Sequence, residues 1–144
     1  MVIFGIGIND AAAPDFDTAA FRANYASLID SIRSVNSDCA FVFITNNDSF
    51  RRVKRRYEVN RNGLLAREVF YRLADDYDGA VWDQFEIMGG LKSMDTWYKE
   101  GLAQKDRVHF TNAGYKLIGD LFSNALFDAY KYYLKTKKSK GKKK

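Results

Sequence analysis

The first eight residues, MVIFGIGI, form a continuously apolar run that ends at Asn9-Asp10. A strand that is apolar at every position suits a sheet covered on both faces, as parallel sheets are. Two later runs have the same character, from Cys39 to Thr45 and from Ala80 to Trp82. The run from Ala80 to Trp82 is followed directly by Asp83. The sequence therefore predicts a parallel sheet buried between helices.

Amphipathic segments separate these strands. Apolar side chains recur at helical spacing from Asp17 to Val35 and again from Leu64 to Tyr77. A short helix is predicted around Met94 to Lys99, and a last helix from Thr111, a good N-cap, to about Leu134. The order β-α-β-α-β-α predicts an open α/β sheet with right-handed crossovers.

The basic character of the chain is concentrated at its C-terminus. The formal net charge is +5, but residues 135–144 hold seven lysines and no acid, and subtracting these lysines leaves −2. We predict one domain over residues 1–134 and a disordered Lys-rich tail over residues 135–144 that serves solubility. No apolar run reaches the roughly 20 residues that span a bilayer, so no membrane span is expected. The lysine tail could bind nucleic acid or an anionic membrane electrostatically, but a passive solubilising tail is the better interpretation, so no nucleic-acid partner is expected.

A second basic cluster lies between Asn46 and Asn62, a segment that we predict to be a long polar loop. Five of the six residues from Arg51 to Arg56 are basic. The cluster could bind phosphate or another polyanion, but a solvated loop beside a substrate crevice is the plainer interpretation in a domain whose remainder is acidic. Asp48 and Arg51 are the candidate substrate contacts in this segment.

Polar residues follow each predicted strand, where open α/β sheets gather their reactive groups. Asn9 follows the first strand, Asp48 the second and Asp83 the third. Gly7 would let a ligand approach the backbone, and an exposed Asn9 amide could donate to a developing oxyanion. A simple turn explains Asn9-Asp10 equally well, because both residue types are common in turns.

His109 is the only histidine, and Asp106 lies three residues before it. In a loop, this spacing can bring the carboxylate to imidazole Nδ1, which fixes the tautomer and leaves Nε2 free to accept a proton from a hydroxyl. The alternative is a hydrogen-bonded structural histidine, because with 14 aspartates in the chain the spacing alone is not specific. The sequence has no metal-ligand cluster and no phosphate-binding glycine loop, so no metal and no cofactor are expected.

These motifs in combination resemble a known family. A Gly-x-Asn-Asp motif after a buried strand, with Asp-x-x-His about a hundred residues later and leading into a C-terminal helix, is similar to the SGNH, or GDSL-type, serine esterases. The stretches from Trp82 to Gly90 and from Asp106 to Tyr115 are similar to a bacterial branch associated with acetylated carbohydrates and peptidoglycan. The resemblance covers about Val2 to Ala129.

The resemblance implies a three-layer α/β/α, flavodoxin-like sandwich and a role for each matched residue. His109 matches the general base, Asp106 its orienting carboxylate and Asn9 the side-chain oxyanion donor. In the family's mechanism a serine attacks an ester carbonyl, an acyl-enzyme forms, and water releases it. The implied substrate is an acylated, above all acetylated, carbohydrate, and the implied parent protein is bacterial and periplasmic or secreted.

The family's Gly-Asp-Ser block occurs nowhere in this sequence, nor does the glycine block that supplies a second oxyanion donor. The strand at Met1–Ile8 matches the family's third strand. We therefore interpret the chain as a C-terminal portion of an SGNH hydrolase that lacks the N-terminal strands and is inactive alone. Because an unpaired strand edge is a template for another chain, we predict self-association, or a complementing N-terminal half, through Met1–Ile8.

A different class of function remains open from the sequence. The chain could be a non-catalytic α/β binding or assembly module that uses its basic loop and its tail for a polyanionic partner.

Overall fold

The structure is a computed structural model of the chain and describes residues 1–141. In chain order the elements are β1 (Val2–Phe4), α1 (Ile8–Ala11), α2 (Thr18–Val35), β2 (Phe41–Ile44), β3 (Phe50–Val53), β4 (Arg56–Val59), α3 (Asn62–Asp76), β5 (Ala80–Trp82), α4 (Gln84–Ile87), α5 (Ser93–Lys99) and α6 (Asn112–Gly141). Strands β1, β2 and β5 form a parallel sheet in the order β1-β2-β5, and β3 and β4 form a separate antiparallel hairpin. The predicted α/β class with a parallel sheet is confirmed.

The main core lies between this sheet and the two crossover helices. Phe4 of β1 pairs in register with Phe43 of β2, and their rings stack with centroids 5.4 Å apart. Helices α2 and α3 bring Tyr25 and Phe70 against the same face, edge to face at 5.3 Å. These aromatic side chains are almost fully buried, and burial of such area stabilises by about 25 cal/mol per Å².

Helix α6 packs on the opposite face of the sheet. Side chains alternate across a strand, so Trp82 points away from the core formed by Phe43 and α3, and its ring meets Phe122 of α6 at 5.1 Å. The result is a three-layer arrangement of helix, sheet and helix. Three other large side chains of helix α6, Tyr115, Leu126 and Tyr133, are exposed.

The sequence located the helix starts well. Asp17 caps α2 by accepting from the backbone N–H groups of Ala19 and Ala20, at 2.8 and 3.1 Å. Thr111 Oγ1 accepts from the Gly114 N–H at 3.2 Å at the start of α6. In each case a side-chain oxygen satisfies an N–H group that has no partner within the helix.

Three sequence predictions need correction. The predicted strand at Met1–Ile8 ends at Phe4, because the chain turns at Gly7 into α1. The predicted polar loop from 46 to 62 contains the β3–β4 hairpin, closed by the two-residue connection Lys54-Arg55. This connection has neither the Gly nor the Asn that marks such turns.

The third correction concerns the C-terminus. We predicted a disordered tail from residue 135, but α6 continues through Gly141. Lysine is a good helix former, and extending an existing helix avoids the cost of nucleation. Residues 142–144 lie outside the described part of the chain. Within residues 1–141, no helix is long and apolar enough to cross a membrane.

Candidate active site

Asp106 and His109 form a hydrogen-bonded pair in the loop before α6. Imidazole Nδ1 lies 2.8 Å from Asp106 Oδ2. The other carboxylate oxygen, Oδ1, accepts from the backbone N–H groups of Val108 and His109, at 2.9 and 3.0 Å. One aspartate therefore shapes the turn and orients the ring at the same time.

This geometry determines which ring nitrogen is available. An ionised carboxylate can only accept, so in the neutral imidazole the proton sits on Nδ1 and the lone pair on Nε2. The His109 side chain is 59% exposed. The imidazole is therefore oriented by Asp106 while most of its surface remains accessible.

Asp106 is held in its ionised form. Burial acts to raise its pKa, but hydrogen bonds from the His109 side chain and from the backbone N–H groups of His109 and Val108 outweigh this. The pKa of Asp106 consequently lies below its ordinary value. A carboxylate that stays ionised is what an orienting partner for an imidazole requires.

The ends of the Asp106–His109 loop are themselves fixed. The Gln104 N–H donates to the His109 carbonyl at 2.8 Å, and Gln104 Nε2 donates to the Phe110 carbonyl at 3.0 Å. Phe110 is buried in a second hydrophobic cluster with Met88, Met94 and Trp97. The polar loop thus rests on a packed apolar base.

Gly7 sets the direction in which the chain leaves β1. Its φ of 113° lies in the left-handed region, and a Cβ there would meet Phe21 Cζ at 2.9 Å. Just before it, the Tyr25 hydroxyl donates to the Ile6 carbonyl at 2.7 Å. Burial, and to a smaller extent the charge of Asp10, raises the pKa of Tyr25, so this hydroxyl remains a donor.

Asn9 follows Gly7 on the short helix α1, two residues from a tether to the rest of the molecule. Asn60 Nδ2 donates to the Ala11 carbonyl at 2.9 Å. Asn9 itself is exposed, and its side chain makes no hydrogen bond within residues 1–141. Its amide is therefore available to a ligand.

Asn9 follows β1, and the His109 loop is bound to the chain that follows β2. No hydrogen bond joins Asn9 to His109 within the described residues. The link between the two segments runs through the chain after β2. Asn60 holds the Ala11 carbonyl and also donates to Ser49 Oγ at 3.3 Å. Next to Ser49, the Phe50 N–H donates to the Arg107 carbonyl at 3.1 Å, inside the His109 loop.

Asp48 and Arg51 differ from each other in accessibility. Asp48, predicted as a substrate contact, is fully buried, and its Oδ2 accepts from the Met94 N–H at 3.0 Å in the first turn of α5. It is a structural residue, because no substrate can reach it there. Arg51 lies on β3 and is half-buried, with its Nε unpaired in the described structure.

Asp83 is another structural residue at the edge of the sheet. Its Oδ1 accepts from Thr45 Oγ1 at 3.0 Å, which joins the ends of β2 and β5. Its Oδ2 accepts from Arg67 Nε at 2.7 Å and from the Tyr71 hydroxyl at 2.8 Å. The sequence identified Asp83 as a strand end but gave no sign of Arg67 and Tyr71, which lie on a helix surface 12 to 16 residues earlier.

A parallel α/β sheet between helices, with an aspartate-oriented imidazole in the loop before the last helix, defines an SGNH-type hydrolase fold. The chain belongs to the GDSL-like lipase/acylhydrolase family, whose model matches residues 1–117.

Solved structures agree with this fold. The structure of a peptidoglycan O-acetylesterase is similar at a TM-score of 0.80 and 23% identity, over 89% of this chain and 37% of that one. The esterase domain of the ORF1 protein from the zebrafish ZfL2-1 retrotransposon is similar at a TM-score of 0.58 and 18% identity, over 83% of this chain and 64% of that one. The chain thus spans little more than a third of the first structure. No curated protein matches the chain significantly.

Proposed function

We propose that this chain supplies the general base and one oxyanion donor of a serine acylhydrolase site, and that the nucleophilic serine comes from a polypeptide segment outside these 144 residues. The observation that carries the proposal is the 2.8 Å contact between His109 Nδ1 and Asp106 Oδ2, with the ring exposed. The chain's membership of an acylhydrolase family supports the same reaction class.

The reaction would proceed in two halves. His109 Nε2 takes the proton of the serine hydroxyl as Oγ bonds to the ester carbonyl carbon, and the carbonyl π electrons move to oxygen. The Asn9 amide donates to this oxyanion. Collapse of the intermediate breaks the bond to the alcohol, which leaves with the proton from His109. Water, activated by the same imidazole, then releases the acid.

The substrate that we propose is an acylated carbohydrate, with acetyl as the acyl group. The support is the similarity to a peptidoglycan O-acetylesterase, carried over to this chain as a proposal. Arg51 is the proposed substrate contact, because it follows Phe50, whose N–H donates to the Arg107 carbonyl in the His109 loop. Gly7, whose left-handed conformation sets the position of Asn9, is the other residue that we propose to lie at the substrate-binding surface.

The β1 edge is the proposed place for the serine-bearing segment. β1 pairs with β2 on one side only, so its other side presents unpaired backbone groups. Ile3, in the middle of β1, is exposed. A strand added parallel to β1 would end at the same edge of the sheet as Asn9, where a serine could meet His109.

The experiment begins with the DNA immediately upstream of Met1, in frame or in a neighbouring gene, which should encode a Gly-Asp-Ser block. Co-expression of that segment with this chain should give hydrolysis of p-nitrophenyl acetate and fluorophosphonate labelling of the added segment. Asp106→Asn should lower kcat/KM by at least about 100-fold, because a correctly held base contributes 10² to 10⁴. Asp120→Asn, an exposed aspartate on α6, is the matched control and should have no effect.

Three results would contradict the proposal. Turnover or fluorophosphonate labelling of the chain alone would reveal a nucleophile within the sequence. Activity of the complex that is indifferent to Asp106→Asn would remove the pair from the reaction. An upstream region without a serine block would favour the binding-module alternative.

A further inference from the structure

Arg107 lies between Asp106 and His109 and has an unusual backbone conformation. Its φ is 56°, in the left-handed region, which residues with a side chain disfavour. This conformation bends the chain so that the next two N–H groups, of Val108 and His109, return to Asp106 Oδ1. The turn that orients the imidazole therefore depends on a backbone state that arginine does not favour by itself.

Four contacts hold the Arg107 side chain, and one of them is local: Nη1 of Arg107 donates to the Lys105 carbonyl at 3.0 Å. Its Nε donates to Asp95 Oδ1 on α5 at 2.6 Å. The guanidinium lies over the rings of Tyr57 on β4 and Tyr98 on α5, 4.7 and 4.6 Å from their centroids. Only 19% of the side chain is exposed, which is unusual for a loop arginine.

The Asp95 partner is charged under ordinary conditions. The hydrogen bond from Arg107, above all, lowers the pKa of Asp95. Lys99 adds a longer contact to the same carboxylate at 3.7 Å. The ion pair between Asp95 and Arg107 therefore persists across the neutral range.

The backbone of Arg107 is fixed as well. Its N–H donates to the Gln104 carbonyl at 3.0 Å, and its carbonyl accepts from the Phe50 N–H at the start of β3 at 3.1 Å. The β3–β4 hairpin and α5 thus bind Arg107 from two sides. No hydrogen bond joins either element to His109 in the described structure.

We infer that Arg107 is a positioning residue for the imidazole of His109: its guanidinium, bound to Asp95 between Tyr57 and Tyr98, maintains the left-handed turn that brings Asp106 onto Nδ1. This inference rests on the proposed function, since it concerns the base of that reaction. In this role the arginine acts through the turn and not on the substrate or the reacting atoms.

The single histidine makes the test direct. Nitrogen-15 correlation spectra of the full 144-residue chain report which ring nitrogen of His109 carries the proton. In the wild type the Nδ1–H tautomer should be the major species. In Arg107→Ala it should become the minor one, because an imidazole without its carboxylate acceptor favours Nε2–H. Arg107→Lys keeps the charge near Asp95 but loses the planar stacking, and should lie between the two.

Arg107→Gly separates the side chain from the backbone. Glycine adopts a positive φ without strain, so this variant permits the turn but lacks the guanidinium. We expect it to lose the Nδ1–H tautomer as Arg107→Ala does, and its retention would overturn the inference. Asp95→Asn should shift the tautomers in the same direction with Arg107 in place. Arg72→Ala, an exposed arginine on α3, is the control and should change nothing.

Asp106→Ala distinguishes this inference from the proposed function. If Asp106→Ala leaves the tautomers of His109 unchanged, the Asp–His pair does not operate and the proposed function fails with it. If Asp106→Ala removes the Nδ1–H tautomer while Arg107→Ala and Arg107→Gly keep it, only the positioning role of Arg107 is wrong. Circular dichroism of each variant confirms that the spectra come from folded protein, and Arg107→Lys and Asp95→Asn remain informative where Arg107→Ala unfolds.

Discussion

Asn47 Nδ2 donates to the Val108 carbonyl at 3.0 Å and so ties the chain after β2 to the loop that carries His109. The same amide also donates to the carbonyl of Asp48 at 2.8 Å. Asn47 and Val108 are 61 positions apart in the chain. This tether joins the imidazole loop to the edge of the sheet.

Asn47→Ala should therefore loosen the His109 loop. Loss of hydrogen bonds to a half-buried amide should lower the free energy of unfolding by about 1–2 kcal/mol, measured by urea denaturation. Hydrogen exchange of the backbone amides of Val108 and His109 should quicken. Asn124→Ala on the exposed surface of α6 is the control, and equal losses in both variants would show that the tether contributes nothing.

Gly7→Ala tests the turn before Asn9. The added Cβ would meet Phe21 and the Tyr25 hydroxyl, at 2.9 and 3.2 Å, in a backbone conformation that alanine disfavours. We expect a loss of about 2–4 kcal/mol in the free energy of unfolding, from the strained conformation and the overpacked core together. Gly119→Ala on α6 is the matched control, because a Cβ there meets nothing within 4 Å and helix propensity favours alanine. A Gly7→Ala protein as stable as the wild type would contradict this account of the turn.

Asp83 should stabilise the fold at neutral pH and lose this effect in acid. Burial raises its pKa, but hydrogen bonds from Arg67, Tyr71 and Thr45 outweigh burial and lower the pKa overall. A lowered folded pKa adds stability above the unfolded value of about 3.9, and this stability is lost as pH falls through the folded pKa. Asp83→Asn should cost about 1.5–3 kcal/mol at pH 7, measured by urea denaturation, and the difference should vanish at acid pH.

Asp48 should show the opposite dependence. Burial raises its pKa, only partly offset by backbone N–H groups including that of Met94, and its Oδ1 has no partner in the described structure. A raised folded pKa gives stability that is present below the unfolded pKa and is lost as pH rises through the folded one. Asp48→Asn should therefore gain stability relative to the wild type as the pH rises above the unfolded pKa of about 3.9. A constant difference above this pH would show that Asp48 does not titrate differently on folding.

The β1 edge should mediate association of the isolated chain. β1 ends at Phe4, so Ile3, in the middle of the strand, is the residue to change, and Ile6 lies beyond the strand. In sedimentation at tens of micromolar the wild type should form dimers or larger species, and Ile3→Lys should shift it to monomer, because a charge blocks edge pairing. Leu65→Lys, at an exposed apolar position on α3, is the control. A monomeric wild type that unfolds cooperatively would contradict the prediction that the chain associates through the β1 edge.

The parts of the fold that could be predicted from the sequence are those set by local pattern. The apolar runs located β2 and β5, the amphipathic spacing located α2, and Thr111 as an N-cap located the start of α6. The β3–β4 hairpin was missed because its strands are charged and its turn residues, Lys54-Arg55, carry no turn signal. The pairing of β3 with β4, and not a local sequence pattern, determines the structure of that segment.

The candidate site also has a part set by local spacing, which could be predicted, and a part set by distant contacts, which could not. The Asp106–His109 pair is a contact over three residues, so spacing alone could suggest it. The roles of Asn47, Asn60 and Asp95 depend on contacts 12 to 61 residues away, and sequence spacing holds no trace of these. Asp48 was predicted to contact substrate because a polar residue after a strand indicates a position at the edge of the sheet. Its burial, however, depends on where α5 packs.

The turn at Asp106 also bears on the entropy of assembly. Both carboxylate oxygens are used within four consecutive residues, so the rotamers of Asp106 and His109 are restricted by the folding of this chain alone. A segment that brings a hydroxyl to Nε2 would find the imidazole already immobilised. Ordering each such side chain at the moment of association would otherwise cost about 0.5–1.5 kcal/mol. The imidazole is in this sense preorganised for the role that we propose, because little of its conformational freedom would be lost on association.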